Sequence, residues 1–118
     1  MLKIKRVYEE PSEDDGRRIL VDRLWPRGLS KDKARIDLWM RDISPSDELR
    51  KWFGHDSSRW EEFRRRYWKE LEENEGSVAQ LEIMEGKGNL TLVFGRRDEL
   101  HNNAIVLKEY LDSRRSHR

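Results

Sequence analysis

Apolar residues recur along this chain with two different periods, and the switches between them mark its elements. Residues Leu2 to Tyr8 alternate and predict a first strand, with Leu2, Ile4 and Arg6 on one face. The segment Glu9-Glu10-Pro11-Ser12-Glu13-Asp14-Asp15-Gly16 is acidic and broken by Pro and Gly, which predicts a solvated loop. Arg18-Ile19-Leu20-Val21-Asp22-Arg23 follows, and its three consecutive apolar residues suit a strand buried on both faces, as in a parallel sheet. Leu90-Thr91-Leu92-Val93-Phe94 has the same character and predicts a third strand.

Between and after these runs the apolar period lengthens to that of a helix. Trp25-Pro26-Arg27-Gly28 breaks the chain, and Ser30 is placed to cap a helix carrying Ile36, Trp39, Met40 and Ile43. Ser44-Pro45-Ser46 opens a short helix with Leu49, Trp52 and Phe53, which Gly54 ends. Ser58 with Glu61 has the spacing of a capping box, and Trp60, Phe63, Tyr67 and Leu71 then share one face. Glu61/Arg65 and Glu62/Arg66 are favourable pairs on the other face. Asn74-Glu75-Gly76 closes that helix, and Ser77 with Gln80 opens another that ends at Gly86. Asp98 is placed to cap a last helix with an inner stripe of Leu100, Ala104, Leu107 and Leu111.

Helical segments between the second and third strands call for a right-handed parallel crossover. Only about ten residues join the first two strands, near the lower limit for a crossover, so parallel and antiparallel arrangements of that pair stay open. The fold class expected is α/β: one compact domain over residues 1–112, with a small, mostly parallel sheet of three to four strands flanked by helices. Residues 113–118 are expected to form a frayed basic tail.

Composition narrows the function classes. The 118 residues fit one domain. Charged residues make up 42 %, but the net charge is only +1 and five Trp, three Tyr and three Phe are present, so the charges coat a compact fold rather than mark disorder. A near-neutral chain is not built as a dedicated nucleic-acid binder and leaves room only for a local basic patch. There is no cysteine, which excludes disulfides, Cys-ligated zinc, iron–sulfur clusters and thiol nucleophiles. The N-terminus lacks the apolar core of a signal peptide, and no apolar run approaches a membrane span, so a cytoplasmic protein without membrane partners is expected.

Four motifs occur in order: Val21-Asp22-Arg23-Leu24-Trp25-Pro26-Arg27-Gly28; Glu48-Leu49-Arg50-Lys51-Trp52-Phe53-Gly54-His55-Asp56; Arg59-Trp60 with Phe63 and Tyr67; and Asp98-Glu99 with His101, Asn102 and Ala104. Together they resemble the YeaO-like proteins of the family called domain of unknown function 488, from about Ile4 to Leu111. The resemblance implies a compact α/β domain and brings no settled activity with it. Longer, more distant relatives carry a Cys-x-Glu after the last strand and a Cys-His-Arg at the following helix. Here the matching region reads Gly95-Arg96-Arg97-Asp98 and His101-Asn102-Asn103, so any thiol chemistry of those relatives is absent.

Ligands of open parallel sheets bind beyond the carboxyl ends of the strands. That end is expected to gather Asp22, Arg23, Arg27, Arg96 and Arg97, with Asp98, His101 and Asn102 at the start of the last helix. Gly28 and Gly95 would let backbone approach a ligand. Guanidinium groups and helix N-termini both favour anions, so a phosphate or carboxylate site is expected; the competing reading is that these arginines only tie down loops. His101 is the first candidate for moving a proton. His55, beside Asp56, is the second, its competing role being that of a turn residue while Asp56 caps the next helix. Trp25 is read as a core plug, Arg27 as the functional member of its turn, and Arg64-Arg65-Arg66 as a solvated face. His117 lies in the tail and has no assigned role. No short-spacing ligand set, Walker or dinucleotide motif, or nucleophile elbow is present, so neither metal nor cofactor is expected.

Two functions follow. The first is an enzyme or degenerate enzyme that binds a small anionic molecule, phosphate- or carboxylate-bearing, or a nucleotide-like one, at the strand ends. The second is a non-catalytic module for nucleic acid or a protein, using the same arginines with Trp25 or Trp52 exposed.

Overall fold

The two apolar runs and the alternating N-terminus form three of four strands: β1 (Leu2–Arg6), β2 (Arg17–Leu20), β3 (Leu38–Trp39) and β4 (Leu90–Phe94). The structure, a computed structural model, describes residues 1–116. All pairings are parallel and the order is β1-β4-β2-β3. Leu2 pairs with Leu90 and Arg6 with Phe94 on one side of β4, while Arg17 pairs with Leu90 and Leu20 with Val93 on the other. The first two strands are therefore parallel but not neighbours, which answers the question left by their short connection.

The central strand shows why the sequence runs apolar. All five residues of β4 are buried: Leu90, Leu92 and Phe94 join the main core, whereas Val93 belongs to a small second cluster with Val7 and Ala34. Trp25, Leu29 and Ile36 pack on that second cluster. The main core takes the helices, and Thr91 faces the opposite way, where its hydroxyl donates to the Asp15 carbonyl at 2.7 Å.

Asp15 is the hub of the acidic loop, which is more ordered than expected. Its carboxylate is fully buried and meets Lys3 at 3.0 Å, Lys5 at 3.2 Å and Arg18 at 2.7 Å. Burial pushes this carboxyl up, but the Ser12 backbone amide and the cations Lys3, Arg18 and Lys5 together hold it well below the usual carboxylate range.

The helices are α1 (Lys31–Ala34), α2 (Asp47–Phe53), α3 (Trp60–Glu72), α4 (Glu75–Gly86) and α5 (Asn103–Ser116). Ser30 caps α1 as expected, its hydroxyl accepting from the Lys33 amide at 3.2 Å. That helix stops after four residues, because Arg35 adopts a left-handed conformation, φ 49°. The Asp37 amide then donates to the Arg18 carbonyl and its carboxylate accepts the Arg18 amide, so Leu38-Trp39 forms an edge strand on β2. The helical spacing of Ile36, Trp39, Met40 and Ile43 is thus coincidental; strand pairing outweighs it.

The Ser46-capped α2, closed by Gly54, matches the expectation. Other caps moved. Asp56, not Ser58, is the acceptor before α3: it takes the Ser58 amide and hydroxyl at 3.0 and 2.6 Å, and no Ser58–Glu61 box forms. Helix α4 starts at Glu75 and incorporates Gly76 and Ser77, because the Asn74 carbonyl already accepts the Val78 amide. Phe63, Tyr67 and Leu71 are buried along α3, with Trp60 half-buried at the start of the stripe. Glu62 pairs with both Arg65 and Arg66, and Glu61 with Arg64 rather than Arg65. Ala104, Leu107 and Leu111 are buried on α5, but Leu100 precedes the helix and is 74 % exposed.

Helix α5 continues past residue 112 to Ser116, where Arg114 bridges to Glu82 at 2.9 Å and Arg115 pairs with Glu85 and Asp112. His117 and Arg118 lie outside the described residues. Among the described residues no helix is long and apolar enough to cross a membrane.

Candidate functional site

At the carboxyl ends of β2 and β4 the chain leaves the sheet on both sides of a cavity of about 300 Å³. Asp22, Arg23 and Leu24 line it from the turn after β2, and Arg96 from the turn after β4. Arg50, Lys51, Phe53, Gly54 and His55 contribute from α2 and its C-terminus, Pro45 from before it, Phe63 from α3 and Asn103 from α5.

Asp22 ties the two strand ends together. Its carboxylate accepts the Gly95 amide at 2.8 Å, and its carbonyl accepts the Trp39 indole at 2.8 Å. The Gly95 amide is thus engaged by Asp22, and a Cβ at residue 95 would stand in ordinary contact with that carboxylate, 3.4 Å away. Burial raises the Asp22 carboxyl above its ordinary value, against the lowering effect of hydrogen bonds from Gly95 and Asn103.

Arg23 Nε donates to the Pro45 carbonyl at 3.2 Å. Arg96 lies with its guanidinium 4.5 Å from the centre of the Phe53 ring and donates to the Gly54 carbonyl at 3.0 Å, while its Nε is buried without a partner. Burial pulls Arg96 below its ordinary value, with Asp98 opposing the shift. Among the described residues neither guanidinium has a carboxylate within salt-bridge distance, unlike Arg50 and Lys51, which both pair with Asp47. Beneath them, Phe53 and Phe63 stack with ring centres 4.4 Å apart.

Of the residues expected at the site, Asp22, Arg23, Arg96 and His55 share this cavity; the others lie outside its lining. Arg27 is exposed on its loop, and its contact is through its carbonyl, which accepts the Tyr8 hydroxyl at 2.8 Å. Gly28 has φ 70°, so glycine is required there by the turn. Arg97 is exposed. Asp98 does not cap the last helix: it accepts the Leu100 and His101 amides one turn earlier, and Asn102, fully buried, caps α5 by accepting the Ile105 amide at 3.1 Å. His101 Nδ1 meets the Asp98 carboxylate at 2.9 Å and its ring stands edge-on to Trp60. Hydrogen bonding to His101 leads the causes that lower the Asp98 carboxyl. Trp25 packs as a plug, its indole donating to the Leu29 carbonyl at 2.7 Å.

Sequence reasoning missed Arg50, Lys51, Phe53, Phe63 and Asn103. The first three stand inside the quoted motif from Glu48 to Asp56, where only His55 was singled out. Asn103 was passed over for Asn102 because the start of α5 was placed too early.

A family model described as the inactive DUF488-N3 subclade matches residues 1–118. The chain belongs to this family. It is 40 % identical to the uncharacterized protein YeaO of Escherichia coli strain K12 over 112 residues, covering 95 % of this chain and 97 % of that one. It is also 40 % identical, over 113 residues, to uncharacterized proteins of Mycobacterium tuberculosis and Mycobacterium bovis, covering 96 % of this chain and 95 % of theirs. No solved structure matches it significantly. The resemblance drawn from the four motifs is thereby established for the whole family domain.

Proposed function

We propose that this protein binds a small anionic molecule at the carboxyl ends of β2 and β4 without turning it over, as a degenerate relative of an enzyme. The observation that carries this reading is the pair Arg23 and Arg96, two guanidinium groups on one concave site without a carboxylate partner among the described residues. Guanidinium is suited to carboxylate and phosphate alike. Arg50, Lys51 and His55 on the same cavity add donors against the single acid Asp22.

The absence of turnover is supported from three sides. No serine, threonine or cysteine lines the cavity, so it holds no side-chain hydroxyl or thiol nucleophile, and the Asp56 carboxylate beside its one histidine, His55, is committed to Ser58 and Arg59 instead. The Asp98–His101 pair has the form of an oriented base, but His101 packs on Trp60 and does not line the cavity. The family's description as inactive agrees. The tryptophans argue against a base-stacking module: Trp25 is packed inward, and Trp52 carries the guanidinium groups of Arg59 and Arg66 at 5.1 and 4.2 Å.

Thermal melts test the reading. A nucleoside monophosphate or inorganic phosphate at 100 times its Kd adds about 2.7 kcal/mol to stability, whereas chloride at equal ionic strength adds nothing comparable. Arg23→Ala should abolish the phosphate response and change ligand-free stability by about 1 kcal/mol, the value of one ordinary hydrogen bond. Equal shifts with chloride and phosphate would remove the anion site and leave the macromolecule-binding module in its place.

A further inference from the structure

The cavity is layered, and the layering specifies more than charge. Its floor is apolar: Phe53 and Phe63 are 3 % and 2 % exposed and stacked on each other. Pro45 and Leu24 extend the apolar wall outward, and Leu24 remains 57 % exposed at the lip. The cations sit higher. The side chains of Arg50 and Lys51 are 39 % and 70 % exposed, and His55 is exposed. The inner polar groups carry both signs, the Asp22 carboxylate held by the Gly95 amide and the Arg96 guanidinium lying over the Phe53 ring.

We infer that the occupant is an organic oxyanion with an apolar body the size of one ring, its body packed against Leu24 at the lip and its head among Arg23, Arg50, Lys51 and Arg96. The inference rests on the anion-binding reading above and refines it. A bare oxyanion pushed to the floor would meet Arg96 but also the Asp22 carboxylate and two phenyl rings. Kept at the mouth, it would compete with Asp47 for Arg50 and Lys51 and be screened by solvent. An apolar body gains by covering Leu24, the exposed apolar side chain of the wall, while leaving the head at the cations. About 300 Å³ is at the low end for small-molecule cavities, which suits one ring and one head group. Carboxylate and phosphate heads share this chemistry.

Calorimetric titration of the full chain at fixed ionic strength separates the terms, using benzoate, phenyl phosphate, acetate, inorganic phosphate and phenol. The expected result is that at least one ring-bearing anion binds about tenfold or more tighter than its bare head group, a difference of about 1.4 kcal/mol. The tighter of benzoate and phenyl phosphate then identifies the head. Leu24→Ser, at an exposed position, should weaken the ring-bearing anion severalfold and leave the bare anion unchanged. Acetate binding as tightly as benzoate and phosphate as tightly as phenyl phosphate, or Leu24→Ser without effect, would overturn this inference while the anion site stands. Phenol binding as tightly as phenyl phosphate, or no anion binding at all, would overturn both.

Discussion

Replacing Asp15 with asparagine keeps the shape of a buried side chain and deletes its charge. The oxygen that accepts the Ser12 amide at 3.1 Å can be kept, as can the backbone carbonyl that receives Thr91. What is lost is charge compensation for Arg18, which is 3 % exposed and keeps only neutral acceptors, that same side-chain oxygen and the Ala34 and Arg35 carbonyls. Removing one partner of a buried pair costs about 3 to 5 kcal/mol. Lys3 and Lys5, with side chains 36 % and 17 % exposed, can turn toward water and add little. Against a total stability of about 5 to 15 kcal/mol, Asp15→Asn should move the urea midpoint down by about 2 M, taking a slope of about 2 kcal/mol per M. Because the folded carboxyl lies below its unfolded value, its contribution is present above the unfolded pKa of about 3.9 and is lost as pH falls through the folded value. The gap between parent and variant should therefore close on acidification below about pH 4. Adding Arg18→Met to Asp15→Asn should recover much of the loss, since it removes the buried charge that the first substitution leaves uncompensated. A single-variant loss under about 1 kcal/mol, or no recovery in the double variant, would show that Arg18 is not an uncompensated buried charge.

Phe63→Ala should cost about 3 to 5 kcal/mol by chemical denaturation, because the ring is 2 % exposed between Phe53, Trp60 and Tyr67; a loss under about 1 kcal/mol would contradict the packing. Asp22 behaves oppositely to Asp15. Burial raises its carboxyl in the fold, so its charged form opposes folding, and parent stability is lost relative to Asp22→Asn as pH rises through the folded value. Urea midpoints of the two proteins between pH 4 and 8 should diverge upward in pH, and parallel curves would show that the carboxyl is hydrated.

What could be read from the sequence followed how far each signal depends on local chemistry. The runs Ile19-Leu20-Val21 and Leu90-Thr91-Leu92-Val93-Phe94 named central parallel strands because burial on both faces demands apolar residues at consecutive positions. The stripe Phe63, Tyr67 and Leu71 held for the same reason on a helix. Leu38-Trp39 could not be read, because that strand is made by Asp37 bonding to Arg18, a partner nineteen residues away. Caps failed where several serines and acids compete within a few positions, as at Asp56 against Ser58. For the site, the strand-end rule located Asp22, Arg23 and Arg96. It could not see α2 closing over them, since no local pattern states that Gly54's carbonyl will receive Arg96.

The strand order has a consequence for synthesis. One of the two inner strands, β4, is the last of the sheet to be made, and β1 and β2 pair through it rather than with each other. Leu2 must wait for Leu90 before its ladder begins. A growing chain on the ribosome therefore holds its first two strands with unsatisfied edges until residues 90–94 have emerged, and closing so long a loop slows folding. Helix α3, with its own Phe63-Tyr67-Leu71 stripe, can gather early contacts with α2, and β3 can pair with β2, but β1 joins the sheet only once β4 is present. Nonsense fragments that stop before β4 should accordingly be unfolded and prone to aggregation.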